Sequence, residues 1–316
     1  MTDTTAPAPR PLRVAVIGCG QMGRNHLRCY ARLPGAVIVG GVDPLAANRD
    51  AAAAAFGIPV FAQVDDLPAV DAVSIVTPSV THVALAEELI GKGIHCLIEK
   101  PLALTAAEGR RIAALGKARG VTLAVGHLER FNPAVVALKA HLPALGPIHA
   151  VTARRLAKAG RITDVDVIDD LMVHDIDVVL DLLGRPAPTA AKVEGLRGAD
   201  VPGFDYATAL VGFPGGILAA ISASRMTPVR IRTLEVLGAE AVAVADYIAQ
   251  TLVIRRPGEA GSVAETPVAI ERREPLLDEL ADFLDAIRSG RAPRVTPEQA
   301  VDTIALAERL KAARDL

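Results

Sequence analysis

The sequence has no tryptophan, three tyrosines and six phenylalanines, so aromatics make up only 3% of it. That is too few for the stacking platforms that single-stranded nucleic acid requires. It has no excess of either charge: 34 Lys+Arg against 36 Asp+Glu leave a net charge of −2. A near-neutral surface sets up no long-range field, so neither nucleic acid nor a membrane is expected as a partner. A DNA-binding regulator is disfavoured because the chain has no separate basic module. No apolar run approaches the roughly 18 residues of a membrane-spanning helix. The first eleven residues, MTDTTAPAPRP, hold no apolar signal core and read as a disordered tail. Cysteine is scarce as well. Cys19, Cys29 and Cys96 cannot all pair and show no metal-ligand spacing, so no metal is expected and a reducing cytoplasm fits. What remains, in 316 residues of which 51% are hydrophobic, is a soluble globular protein long enough for two domains.

Up to about Val125, short β-branched runs alternate with helical patterns. Strands are expected at Arg13–Ile17, Val37–Val42, Ala72–Val76, His95–Ile98 and Thr122–Val125. Helices are expected over Met22–Leu33, Ala46–Phe56, Val80–Ile90 and Ala106–Arg119. Strands separated by 10–15-residue helices are βαβ units, and they predict a doubly wound parallel sheet over residues 12–125. The rhythm then changes. A helix at Pro133–Leu142, a strand at Ile148–Arg155 and a helix at Asp169–Leu183 precede strand-like runs at Tyr206–Phe213, Ile217–Ala223, Arg232–Leu237, Ala241–Ala245 and Thr251–Arg255. Residues 126–316 are therefore expected to form an α+β domain on a mostly antiparallel sheet, closed by helices at Leu276–Arg288 and Pro297–Arg314.

Gly18, Gly20 and Gly23 form G-x-G-x-x-G between the first strand and the first helix. The first glycine permits a tight turn, the second lets a pyrophosphate approach the backbone, and the third lets helix and strand pack closely. The helix N-terminus at Gln21 and Met22 turns its unpaired N–H groups toward the phosphates. Asp43 ends the second strand, 25 residues after Gly18, where a carboxylate accepts hydrogen bonds from the adenosine ribose. The same carboxylate repels a 2′-phosphate, which favours NAD over NADP. Arg49 in the next helix is read as a surface cation, and Cys19 as a small side chain filling the loop.

Ligands of such sheets bind beyond the carboxyl ends of the strands, where Thr77-Pro78 and Glu99-Lys100-Pro101 fall. Lys100, in a loop stiffened by proline, is a candidate functional cation; the alternative is a surface lysine paired with Glu99. The other dense cluster is Asp169–Asp177. On a helix, Asp170 and His174 are i,i+4 neighbours on one face. A carboxylate beside an imidazole suits a general base for a hydroxyl proton, although a lone helical histidine is more often structural.

Four segments together resemble the Gfo/Idh/MocA family of sugar and cyclitol oxidoreductases: VIGCGQMGRNH (Val16–His26), TPSVTH (Thr77–His82), GIHCLIEKPLA (Gly93–Ala103) and DLMVHDIDVVLDLLG (Asp170–Gly184). The resemblance covers nearly the whole chain. It implies an N-terminal Rossmann domain and a second domain on an open sheet whose exposed face commonly packs against another subunit, hence a homodimer or homotetramer. It also implies that Lys100, Asp170 and His174 take the family's catalytic positions, and that Thr77, Pro78, His82, Glu99 and Pro101 line the cofactor.

GHLERFNPAV (Gly126–Val135) and ARRLAKAGRITDVDVIDDLMVHDID (Ala153–Asp177) resemble the members of the family that oxidise the 3-hydroxyl of UDP-N-acetylglucosamine. Two features differ from that pattern: the loop Leu156–Gly160 lacks prolines, and Asp166 stands where glycine is usual. A nucleotide-sugar substrate carries a diphosphate, for which arginine forks are suited. Arg130, Arg154, Arg155 and Arg161 are the candidates, with His127 and Asn132 as further substrate contacts. Adjacent Arg154 and Arg155 point to opposite faces of a strand, so at most one meets the substrate. A UDP-hexosaminuronate, a free sugar or an inositol are the alternative substrates, and a non-catalytic NAD-binding regulator is the alternative class.

Overall fold

The computed structural model describes residues 10–158, 166–197 and 203–313. The chain divides into two compact units that are not contiguous in sequence. The first comprises residues up to Leu102, Arg111–Gly126 and Leu276–Thr296; the second holds Ala103–Arg110, His127–Pro275 and Pro297 onward.

In the first unit, β1 (Leu12–Ile17), β2 (Ala36–Val42), β3 (Val60–Phe61), β4 (Ala72–Ile75), β5 (His95–Glu99) and β6 (Leu123–Gly126) form a six-stranded sheet in the order β3-β2-β1-β4-β5-β6. Every pairing is parallel. The helices are α1 (Gln21–Tyr30), α2 (Ala46–Phe56), α3 (His82–Gly91) and α4 (Ala106–Arg119), with the division between units falling inside α4. β4 and β6 are buried along their whole length, which is why their sequences read as continuous apolar runs rather than alternating ones. The strand order reverses between β1 and β4, so the turns that leave these two strands flank the switch point of a doubly wound sheet.

The second unit is built on an eight-stranded sheet in the order β14-β13-β12-β11-β7-β10-β9-β8. Its strands are β7 (Ile148–Lys158), β8 (Ala190–Leu196), β9 (Tyr206–Gly212), β10 (Leu218–Ser224), β11 (Met226–Gly238), β12 (Val242–Asp246), β13 (Thr251–Pro257) and β14 (Val263–Val268). Only β7 and β10 pair in parallel, so the sheet is mostly antiparallel as expected. The helices are α5 (Pro133–His141), α6 (Val173–Leu182) and α8 (Pro297–Ala313), while α7 (Pro275–Ser289) belongs almost wholly to the first unit. One sheet face presents Val151, Ala153, Ala209, Ile221 and Val236 to a core shared with Leu138, Ile176, Val179 and Leu306. Many of the residues in this core are alanines. The alternating residues on the opposite face include the exposed Leu210, Leu218 and Leu237.

Three strands lack a clear sequence signal. β8 (AAKVEGL) is an edge strand of poor β-formers, and β14 (VAETPV) is an exposed edge strand carrying Pro267, which an edge tolerates because it leaves no ladder bond unmade. β3 has only two residues. Most of the expected N-terminal tail lies outside the described residues.

Candidate active site

The first unit contributes a site made largely of backbone. Gly18 has φ +95°, a conformation that glycine adopts without strain, and a Cβ there would lie 2.6 Å from the Val76 carbonyl oxygen at the end of β4. A Cβ at Gly23 would lie 1.8 Å from the Gly18 carbonyl oxygen, so α1 can pack against the turn only through glycine. At Gly20 a Cβ would meet nothing within 4 Å. Gly20 is the N-cap of α1 and supplies no side-chain cap, so the first turn of α1 turns its amides outward as a helix N-terminus suited to an anion. Open space at the middle glycine and tight packing at the outer two fit a pyrophosphate lying over the loop.

Asp43 is buried. Its Oδ2 accepts from the Cys19 amide at 2.8 Å and from Asn48 Nδ2 at 3.1 Å, and its Oδ1 accepts from the Leu45 amide at 2.9 Å. Three of about four acceptor positions are thus filled by the chain, and one on Oδ1 remains for a ribose hydroxyl. Arg49 donates to the carbonyl oxygens of Asp43 and Pro44 at 3.0 and 2.8 Å, which ties it back to the backbone. Burial first, then the Asp43 charge, push the Cys19 thiol up to about 11, so it stays a thiol inside the loop.

Beyond β4 and β5, His82 is buried and its ring lies 2.9 Å from the Thr77 carbonyl oxygen and 2.8 Å from that of Pro101. It clasps the two loops together, a structural task beside the cofactor contact expected of it. The Lys100–Pro101 peptide is cis. Glu99 does not sit on the surface. Its Oε1 lies 3.1 Å from His26 Nε2, and its Oε2 accepts from the Lys100 amide at 3.1 Å. Burial opposes ionisation of Glu99, but the bond and charge of His26, with the Lys100 charge and amide, hold its carboxyl below the usual range.

The second unit contributes a site made of charge. α6 is preceded by one turn of π-helix, Ile168–Met172, so the helical spacing expected between Asp170 and His174 runs out of a wider turn. Asp166 shapes that turn. Its Oδ1 accepts from the Ile168 amide at 2.9 Å and its Oδ2 from the Phe204 amide at 3.3 Å. A glycine could do neither. Asp170 and His174 are both partly buried, with Arg225 Nη1 3.8 Å from Asp170 Oδ2 and Arg225 Nε bound to Asp205 at 3.1 Å.

Each remaining aspartate of this segment meets a cation. Asp169 takes Lys311 at 2.9 Å, and Asp175 takes both Nε and Nη2 of Arg155. Asp177 takes Arg185, the Thr303 hydroxyl and, at 3.6 Å, Arg130; Asp181 takes Arg130 at 2.8 Å. Burial would raise the Asp177 carboxyl, but His127, Arg130 and Arg185 together hold it low. For Asp175 burial prevails and its carboxyl is raised despite Arg155.

This geometry sorts the expected substrate contacts. Arg155 is 2% exposed, holds Asp175 and Glu129, and stacks 5.4 Å over the Tyr247 ring. Asn132 caps α5 through Ala134 N–H and donates to Glu129 and to the Tyr247 carbonyl. His127 and Arg130 are buried against Asp177. Arg130, Asn132 and Arg155 thus belong to a framework beneath α6, in which Arg155 holds Asp175 and Glu129 and Arg130 lies against Asp177 and Asp181. The expectation that Arg154 and Arg155 point apart holds, with Arg154 on the exposed side of β7. Arg161 lies outside the described residues. Arg225 and Arg185 carried no motif, and Glu129, though inside the segment Gly126–Val135, carried no expected role. The only hint was that four aspartates within Asp170–Asp181 call for cations from elsewhere in the sequence. Among the described residues no cluster of three or more metal-ligating side chains occurs, and no helix is long and apolar enough to cross a membrane.

The first unit matches the oxidoreductase family with an NAD-binding Rossmann fold over residues 12–127, and the second the GFO/IDH/MocA C-terminal domain over residues 144–244. The chain is 36% identical over 288 residues to a UDP-N-acetylglucosamine 3-dehydrogenase from Acidithiobacillus ferrooxidans, covering 89% of this chain and 90% of that one. This chain belongs to the Gfo/Idh/MocA family. The solved structure of the A. ferrooxidans enzyme superposes with a TM-score of 0.90 at 33% identity, covering 97% of this chain and 99% of that one. A second family member, the NAD-dependent scyllo-inositol 2-dehydrogenase of Bacillus subtilis, is 28% identical over 90% of this chain and 89% of its own length. As a Gfo/Idh/MocA protein with an intact dinucleotide loop, the chain is an NAD-dependent oxidoreductase.

Proposed function

We propose that this oxidoreductase acts on the 3-hydroxyl of UDP-N-acetylglucosamine and yields the 3-keto nucleotide sugar. Likeness over nine-tenths of both chains to an enzyme of that activity carries the reading. NAD, when bound, supplies the acceptor for the hydride that leaves the carbinol carbon. His174 takes the hydroxyl proton, and Asp170 holds the imidazole for that task. Lys100 donates to the same hydroxyl oxygen and stabilises the negative charge that develops there. Glu99 fixes the backbone from which Lys100 projects, through its bond from the Lys100 amide. Arg155 and Asp175 fix the helix from which His174 projects.

The test is NADH formation with UDP-N-acetylglucosamine, its hexosaminuronate, free N-acetylglucosamine and myo-inositol, for the wild type and for Lys100→Met and His174→Ala. Turnover is expected with UDP-N-acetylglucosamine, falling about 10²–10⁴-fold in each variant while NAD binding persists. Turnover only with a free polyol would remove the nucleotide-sugar reading. Near-normal turnover in both variants would remove the catalytic assignment.

The partner we propose for the open sheet face is a second copy of the chain. Leu210, Leu218 and Leu237 are 42–46% exposed on a sheet whose other face packs the core, and such a face is expected to be covered. Sedimentation should therefore give a dimer or tetramer at micromolar concentration; monomer alone would contradict it. The three cysteines are buried and free, the state that a reducing compartment maintains.

A further inference from the structure

Glu279, on α7 of the first unit, is a buried carboxyl that no step above uses. It is 2% exposed, and neither of its oxygens makes a hydrogen bond among the described residues. The charged and titratable groups that act on it are acidic: Glu99 from β5 and Asp282 from its own helix. Tyr30 of α1 also feels its charge, and the Tyr30 hydroxyl is bonded to Ser74 at 2.8 Å. An ionised carboxylate without a cation or donor is among the costliest groups to bury.

Glu99 is placed differently. His26 Nε2 lies 3.1 Å from it, and the Lys100 amide donates to it. Its side chain lies against the backbone of the neighbouring strand, where a Cβ at Gly126 would come 3.0 Å from the carboxyl carbon. Of two interacting carboxyls, the one favoured by cationic neighbours ionises and the other keeps the proton.

We propose that Glu279 is a positioning residue that holds a proton at neutral pH, so that the Glu99–Glu279 pair carries a single negative charge, anchored through Glu99 to His26 and to the Lys100 backbone. Burial first, then Glu99, then Asp282, raise the Glu279 carboxyl well above its usual range, which agrees with this geometry. Loss of that proton would set a second buried negative charge beside Glu99 and disturb the loop that carries Lys100. The part of the inference that concerns Lys100 rests on the role proposed for it above; the protonation state does not.

The sign of the pH effect follows. A group whose carboxyl is raised on folding contributes stability that is complete below its unfolded value, and this contribution is lost as pH rises toward its folded value. Glu279→Gln cannot ionise and escapes that loss. Infrared spectra of the full chain in deuterium oxide at neutral pH should show the carbonyl band of a buried protonated acid in the wild type and not in E279Q. A wild type without that band overturns the proposal. Melting temperatures taken between about pH 5 and pH 9 should show E279Q gaining on the wild type as pH rises, and parallel curves overturn it. Should E279Q fail to fold, Glu279→Met takes its place in both measurements. In turnover, E279Q should shift the alkaline limb upward by about one pH unit, with the plateau falling no more than about threefold. An unmoved limb in a protein that shows the band would refute the positioning role alone.

Discussion

Between Gly18 and Gly23 the chain makes its site from what is missing: no Cβ at Gly18 against Val76, none at Gly23 against Gly18, and open space above Gly20. Between Asp166 and Asp181 it makes its site from charge, with aspartates held by Lys311, Arg225, Arg155, Arg185 and Arg130. The first arrangement is local. Three glycines at fixed spacing carry it, and a few residues of flanking strand and helix complete it. The second is tertiary. The partners of this segment come from β7, α8, the turn between β6 and α5, the residue after β10 and the turn after α6 itself. A backbone site tolerates almost any neighbours but not an added methyl group, whereas a charge network tolerates changes of shape but not an unpaired member.

The largest expected effect tests the charged region. Arg155→Met leaves Asp175 and Glu129 buried without their shared cation, and breaking a buried pair in this way costs roughly 3–5 kcal/mol. Urea unfolding of the full chain reads the loss. Since Asp175 adjoins His174, kcat should fall with stability while NAD affinity, which belongs to the other unit, stays unchanged. A loss below about 1 kcal/mol would mean that the network is ornamental and that α6 is held by Ile176 and Val179 alone.

This contrast also explains what the sequence made legible. The parallel sheet was readable because β1, β4, β5 and β6 are buried on both faces and so are short, apolar and β-branched. The glycine loop and Asp43 were readable because their function is tied to spacing. β8 and β14 were not, because an edge strand bonded on one side needs neither β-formers nor alternation. The arginines are ambiguous in the sequence for a related reason. A cation suited to a diphosphate is equally suited to a buried carboxylate, and only the fold shows that Asp175, Glu129 and Asp181 reach Arg155 and Arg130 first. Glu279 gave no signal at all, since it lies in no run or spacing that implies a partner, and His26, though it closes the segment Val16–His26, gave no sign of its partner Glu99.

The smallest expected effects sharpen the backbone side of the comparison, because two glycines three positions apart in the motif should respond differently to the same methyl group. Gly23→Ala forces its Cβ against a carbonyl oxygen that would lie 1.8 Å away, so the turn or α1 must shift. A loss of about 1–3 kcal/mol in stability, together with weaker NAD binding, is expected. Gly20→Ala meets nothing within 4 Å, and its stability should stay within about 0.5 kcal/mol of the wild type. Its methyl group nevertheless enters the space through which a pyrophosphate approaches the α1 amides, so the rise in melting temperature produced by NAD should shrink. The informative result is this separation of folding from binding at Gly20. An alanine there that leaves both unchanged would show that the cofactor does not lie over the loop, and the open space would then be only a gap at the surface.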